Sequence, residues 1–167
     1  IINDKKILMA FFKEHIDPQA EAIGLNFGFA MEAVPGKYGA IDGHPLYGTK
    51  EHTFSGLIGQ SLADLVRETI RRDIPVSVAN DTVCLTLSGD GTENGGLVAG
   101  TGFNIGIKQE KEGTRQVINL EAGNFNTFPY DEALTIIDQN SEKSGAQLFE
   151  KVISGKYLSI FFNAKAK

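Results

Sequence analysis

Asn80-Asp81 follows directly on a short apolar run, Val76 to Ala79, that reads as a buried strand. The C-terminal edge of such strands is where open α/β sheets hold ligands. A carboxylate placed there can accept a proton from a substrate hydroxyl, although on the dipeptide alone Asp81 reads first as the cap of a following turn or helix. Gly100-Thr101-Gly102 separates two apolar stretches, with Asn104 just beyond. Glycines expose backbone N–H groups and a threonine adds a hydroxyl, which suits a phosphate oxygen; most such triplets are only turns. Thr49-Lys50 follows a glycine-rich loop, where a lysine can neutralise a transferring phosphoryl group, while the ordinary fate of one lysine is a solvated surface. Glu121 interrupts the apolar strand end Leu120-Glu-Ala-Gly123, and Glu150 lies in a helical stretch beside Phe149, where glutamates usually face solvent. His15, His44 and His52 are scattered without ligand spacing, so histidine-based metal binding is not expected.

The chain that must position these groups has 167 residues, the size of one ordinary domain. Its 16 Lys and Arg against 21 Asp and Glu leave a net charge of −5, which argues against a nucleic-acid module. No run approaches the roughly 20 apolar residues of a spanning helix, so no membrane partner is expected. No charged leader precedes an apolar stretch, and Cys84 is the single cysteine, so neither a disulfide nor a zinc ribbon is expected and a cytoplasmic setting fits best. Glycine supplies 19 residues, well above its usual share of about 7 %, which points to tight turns around a ligand.

Hydrophobic spacing assigns most elements. Asp4 to Ile16 carries Ile7, Leu8, Phe11, Phe12 and Ile16 on one helical stripe, with Asn3 as a candidate cap. Ala22 to Ala30 alternates as a strand, and 31–50, with two prolines and four glycines, reads as a hairpin with loops in which Gly36 and Gly39 serve turns. Ser61-Leu-Ala-Asp64 starts a helix with Leu62, Leu65, Val66 and Ile70 facing inward, Arg71 and Arg72 at its end and Pro75 closing it. Residues 83–88 alternate like a strand. Leu97 to Ala99, Asn104 to Ile107 and Val117 to Leu120 are further strands. Ser144-Gly-Ala-Gln147 has capping-box spacing for one last helix with Leu148, Val152, Ile153, Tyr157, Ile160 and Phe161 on its core face. Strands interleaved with helices place the chain in the α/β or α+β class.

Four blocks, taken in order, are more specific than any one of them: Val78-Ala-Asn-Asp-Thr-Val83, Gly96-Leu-Val-Ala-Gly-Thr-Gly-Phe-Asn104, Val117-Ile-Asn-Leu-Glu-Ala-Gly123 and Gln147-Leu-Phe-Glu-Lys-Val-Ile-Ser-Gly-Lys-Tyr157. Together they resemble the hexokinase family, with weaker likeness at Ile23 to Ala30 and Thr49 to Gly56. The resemblance implies a ribonuclease H-like, actin-like ATPase fold of two α/β lobes, with residues 1–80 part of the small lobe and 81–167 part of the large one. It implies that Asp81 takes the proton from the 6-hydroxyl of a hexose, glucose being the first candidate. Thr49, Lys50, Asn80, Asn104, Glu121 and Glu150 would hydrogen-bond the sugar, and Lys50 would also stabilise charge on the phosphoryl group. Thr101, within Gly100-Thr101-Gly102, would belong to a phosphate-binding turn for ATP, with Mg²⁺ held mainly through the nucleotide. It also implies that the stretch after Asp81 begins a helix, against the alternation at 83–88; Asp81 would then sit near a helix N-terminus, which favours its ionised form.

The sequence departs from the family at several positions. Phe27-Gly28-Phe29-Ala30 stands where Phe-Ser-Phe-Pro is usual, Glu51-His52 where Gly-Phe is usual, Ala122 replaces a tryptophan and Cys84 a glycine. The family's earlier phosphate loop has no counterpart: the Gly95-Gly96 pair leads into Leu97. These residues therefore resemble a middle piece with a nearly complete sugar site and an incomplete nucleotide site, and the isolated chain is expected not to turn over ATP. A non-catalytic sugar sensor, or a kinase of another small metabolite, are the rival readings.

Overall fold

Asp4 opens the first helix in the computed structural model, which describes residues 4–47, 54–141 and 143–166. Its carboxylate accepts from the Ile7 N–H, so Asp4 rather than Asn3 caps α1, Lys5–His15. Asn3 itself lies outside the described residues. Of the expected stripe, Leu8 and Phe12 are buried, whereas Ile7 and Phe11 remain largely exposed.

The chain divides into two units, Ile1–Cys84 and Leu85–Lys167. In the first, β1 (Ile23–Asn26) pairs in parallel with β4 (Val76–Ala79), and β2 (Met31–Pro35) pairs antiparallel with β3 (Ile41–Pro45). α2, Leu62–Ile70, packs on β3, β4 and α1. Its cap is the expected Ser61, whose hydroxyl accepts from the Asp64 N–H at 2.8 Å. The same hydroxyl donates to buried Asp42 on β3, which also accepts from the Ala63 N–H. Phe12, Leu62, Val66, Val76 and Val78 fill the core between these elements. Each such side chain contributes about 1.5–3 kcal/mol by burial. The strand expected over 22–30 stops at Asn26, because the Phe29 N–H donates back to the Phe27 carbonyl and turns the chain.

α3, Asp81–Ser88, replaces the strand that alternation suggested at 83–88, in agreement with the family resemblance. Asn80 decides it: its side-chain oxygen accepts from the Thr82 N–H at 2.9 Å and its carbonyl from the Cys84 N–H. Leu85 and Leu87, two of the three apolar residues of that alternation, are largely exposed.

The second unit carries an antiparallel meander, β5 (Gly95–Ala99), β6 (Phe103–Lys111) and β7 (Thr114–Asn119). Three helices follow. α4, Glu132–Gln139, was not expected from apolar spacing; Asp131 caps it by accepting from the Leu134 N–H. The single terminal helix is two, α5 (Leu148–Ile153) and α6 (Gly155–Lys165), broken where Ser154 adopts an extended conformation. The break leaves Leu148 buried but Ile153 and Ile160 largely exposed, so the expected stripe is interrupted. The capping box does not form either. The Ser144 hydroxyl donates to Asp138, and Gln147, at φ 54°, makes no side-chain cap bond. Asp138 takes over that junction, accepting also from the Gly145 N–H and from the buried ammonium of Lys151. Among the described residues no helix is long and apolar enough to cross a membrane.

Candidate functional site

Each unit holds its own set of the candidate residues. In the first, the parallel β1–β4 pair ends at Asn26 and Ala79, and the next two residues are Asn80 and Asp81. Asn80 is buried and committed to the fold: besides capping α3, its Nδ2 donates to the Phe29 carbonyl at 3.4 Å. Asp81 opens α3 and is half-buried. Its Oδ1 accepts from the Thr82 N–H at 2.8 Å and from the Thr82 hydroxyl at 3.3 Å. Its Oδ2 lies 3.2 Å from where a Cβ on Gly28 would stand. Gly28 thus opens space beside one carboxylate oxygen while Thr82 fixes the other. Cys84 follows on α3, and burial, then the nearby Asp81 charge, push its thiol pKa up.

In the second unit, hydrogen bonds join Asn104 to Glu121 through Asn119, and Glu150 is bonded separately to Phe103, the residue before Asn104. Asn104 Oδ1 accepts from the N–H groups of Ile105 at 2.8 Å and Ala122 at 3.0 Å. Its Nδ2 donates to Asn119 Oδ1 at 2.7 Å, and Asn119 Nδ2 donates to Glu121 Oε1 at 2.8 Å. Glu121 lies outside β7, in a left-handed backbone conformation at φ 47°, where it opens the short 3-10 turn Ala122–Asn124. That conformation costs a non-glycine residue roughly 1–2 kcal/mol, and such outliers gather at functional sites. Glu150 is buried rather than solvent-facing: its Oε2 accepts from the Phe103 N–H at 3.1 Å, which ties α5 to the start of β6.

Gly100, Thr101 and Gly102 form the turn between β5 and β6, with Thr101 exposed and the Gly100 N–H donating to the Gly102 carbonyl. The Gly155 N–H, at the start of α6, donates to the Gly100 carbonyl at 2.7 Å. A Cβ on Gly155 would stand 2.8 Å from that carbonyl oxygen, so glycine is required for the approach. Thr49 and Lys50, and with them Glu51 and His52, lie outside the described residues. Among the described residues no group of three or more His, Cys, Asp and Glu side chains is placed to hold a metal ion.

Two participants, Thr82 and Asn119, carried no assignment from sequence. Asn119 ends β7 two residues before Glu121, but Glu121 lies beyond the strand in a left-handed conformation, so strand alternation in the sequence carried no signal for the pair.

A hexokinase family model matches residues 94–163. Hexokinase-3 of Mus musculus is 32% identical over 167 residues, taking in 87% of this chain and 18% of its own length. The hexokinase of Toxoplasma gondii is 33% identical over 116 residues, 60% of this chain and 25% of that protein. Among solved structures, a hexokinase from Schistosoma mansoni complexed with glucose superposes with a TM-score of 0.71 at 24% identity, over 96% of this chain and 40% of that one. A second hexokinase crystal structure superposes with a TM-score of 0.63 at 26% identity, over 93% and 36%. The chain spans about a fifth of the length of the mouse relative, and its mixed α/β fold is part of the actin-like ATPase fold of these enzymes. Family model, relatives and structural neighbours agree, and the chain belongs to the hexokinase family.

Proposed function

We propose that this chain supplies the hexose site and the general base of an ATP:hexose 6-phosphotransferase, acting at the entry of a sugar into glycolysis in the cytoplasm, with glucose as the first candidate substrate. The observation that carries the reading is Asp81, placed at the C-terminal end of a parallel strand pair and at the start of α3, with one oxygen bonded to Thr82 and the other facing the space left by Gly28. A carboxylate so held can accept the proton of a primary hydroxyl while that oxygen attacks phosphorus, a contribution of roughly 10²–10⁴-fold. Asn104, Glu121 and Glu150 contribute amides and carboxylates suited to the hydroxyl ring of a hexose, which both donates and accepts. Asn80 serves by capping α3 and so setting the place of Asp81. In this reading residues 1–80 belong to the small lobe and 81–167 to the large lobe, and Thr49 and Lys50 complete the sugar and phosphoryl contacts.

The turn at Gly100-Thr101-Gly102 fits a nucleotide phosphate. Its threonine hydroxyl is exposed, and it docks on the N-terminus of the eleven-residue helix α6, whose positive end favours an anion. Mg-ATP, when bound, supplies the γ-phosphoryl group, and Mg²⁺ is carried by the nucleotide, so no protein ligand set is assigned to it.

The test is Asp81→Asn in the full-length protein that carries these residues. Hexose-dependent ADP release should fall about 10²–10⁴-fold, with hexose affinity retained by calorimetry. Turnover equal to wild type would refute the assignment of the base. A wild-type protein that binds hexose without phosphorylating it would be a sugar sensor instead.

A further inference from the structure

We propose that Asn119 is a positioning residue that sets hexose affinity by fixing the orientation of both Asn104 and Glu121; the inference rests on the hexose-site reading above. Asn104 Oδ1 faces two backbone donors, the Ile105 and Ala122 N–H groups. Only an oxygen can stand there, because an amide nitrogen would meet two donors without accepting from either. The other terminal atom of Asn104 is therefore nitrogen, and it donates to Asn119 at 2.7 Å. That choice fixes Asn119 in turn: its oxygen faces Asn104, so its nitrogen faces Glu121 Oε1 at 2.8 Å. Flipping either amide would oppose donor to donor at one end and oxygen to oxygen at the other, the Asn119 amide oxygen in the case of Asn104 and the Glu121 carboxylate in the case of Asn119.

The result is a hydrogen-bond chain with one direction, from backbone N–H groups through two amides to a carboxylate. Bonds in such a chain polarise one another, and the last, to a charged acceptor, is the strongest. Each terminal atom of Asn119 bonds to one of these neighbours, so it holds both of them in place. Asn104 is left presenting an amide hydrogen as donor, and Glu121 is held as acceptor, at places 17 residues apart in sequence but joined by one side chain. The strained backbone of Glu121 needs such a restraint, since nothing in its own conformational preference keeps it at φ 47°.

The experiment uses the full-length protein with glucose as probe. Hexose Kd is measured by calorimetry or NMR, and KM and kcat by coupled assay, for wild type, Asn119→Ala, Glu121→Ala and the double variant. Losing a bond to a charged group should raise the glucose Kd of Asn119→Ala about 10- to 100-fold, with KM for ATP unchanged and kcat less affected than KM for glucose. Because Asn119 acts in part through Glu121, the loss of glucose affinity in the double variant should be clearly smaller than the sum of the two single losses. If Asn119→Ala fails to fold, the isosteric Asn119→Asp takes its place; it keeps the acceptor for Asn104 but loses the donor to Glu121, and the same rise is expected. Unchanged glucose affinity in the folded variant, or losses that simply add in the double variant, would overturn the inference while leaving the hexose site standing. Absence of glucose binding by wild type would overturn the hexose-site reading itself, and the inference with it.

Discussion

Replacing Lys151 with methionine should open the α4–α5 junction without disturbing the first unit. Lys151 is 2% exposed and its ammonium donates to Asp138 Oδ1 and to the Lys143 carbonyl. Methionine fills a similar volume but leaves the Asp138 carboxylate, among the described residues, with the Ser144 hydroxyl and the Gly145 N–H. Removing one partner of a buried pair costs about 3–5 kcal/mol. The Asp138 side chain is 15% exposed, so water reaches part of it and the low end, about 3 kcal/mol, applies. At about 1.4 kcal/mol per decade, local opening becomes roughly 10²-fold more frequent. Hydrogen exchange of a peptide covering 143–153, followed in the full-length protein at fixed pH, reads that ratio directly. Glu150 precedes Lys151 on α5, so glucose KM should rise in parallel. Adding Asp138→Asn to Lys151→Met removes the stranded charge and should recover much of the protection. Acceleration below about tenfold, or equal acceleration over the β4 and α2 segments, would refute the reasoning.

Three further outcomes follow from single groups. Burial of Asp138 opposes its charge, but the bonds from Lys151, the Gly145 N–H and the Ser144 hydroxyl outweigh that and hold its pKa below the ordinary carboxylate value. Its stabilisation is therefore present above about pH 4 and lost as pH falls through the depressed value; an NMR titration of its carboxyl with a midpoint at or above about 3.9 would contradict this. Gly28→Ala puts a methyl group 3.2 Å from Asp81 Oδ2, closer than an ordinary contact, so turnover should drop while the melting temperature of the protein stays close to wild type; unaltered kcat would show that the space is not used. Cys84 should alkylate slowly at neutral pH because burial, and then the Asp81 charge, keep it protonated, and Asp81→Asn should speed the reaction; an unchanged rate would exclude that coupling.

What the sequence made legible, and what it hid, divides along physical lines. Ser61 and its helix were plain because the cap and the apolar stripe agree, although the helix stops at Ile70, where Arg71 turns left-handed, ahead of the expected Pro75. Residues 83–88 misled because Val83, Leu85 and Leu87 alternate by chemistry, while the choice between strand and helix lay with one asparagine outside that window. Asp131 with Glu132-Ala-Leu134 is a helix start of the same kind as Ser61, yet it follows an aromatic, proline-containing stretch, and its apolar face of Ala133, Leu134 and Ile137 spans little more than one turn. Ser144 shows the opposite error: its spacing to Gln147 fits a capping box, but Asp138, on the preceding helix, competes for the hydroxyl and wins with a charge. A local pattern cannot report a partner that arrives through tertiary packing.

The candidate site follows the same rule. Residue types at Asp81, Asn104, Glu121 and Glu150 were visible in order along the chain, but their bonding was not. Asn80 spends its side chain on the cap and on Phe29, and Glu150 spends an oxygen on the Phe103 N–H, so residues that look like sugar ligands are also parts of the scaffold. This double use has a consequence for mutational reading. Truncating Asn80 or Glu150 removes a contact and also frees the backbone that places Phe29 or Phe103, so their effects on hexose affinity and on local stability should be inseparable. Asp81 differs, since Oδ2 faces the space beside Gly28 while only Oδ1 is held by Thr82. An Asp81→Asn change keeps an acceptor for Thr82 and alters chiefly what faces the opening, which makes it the cleanest separation of chemistry from folding that this chain offers.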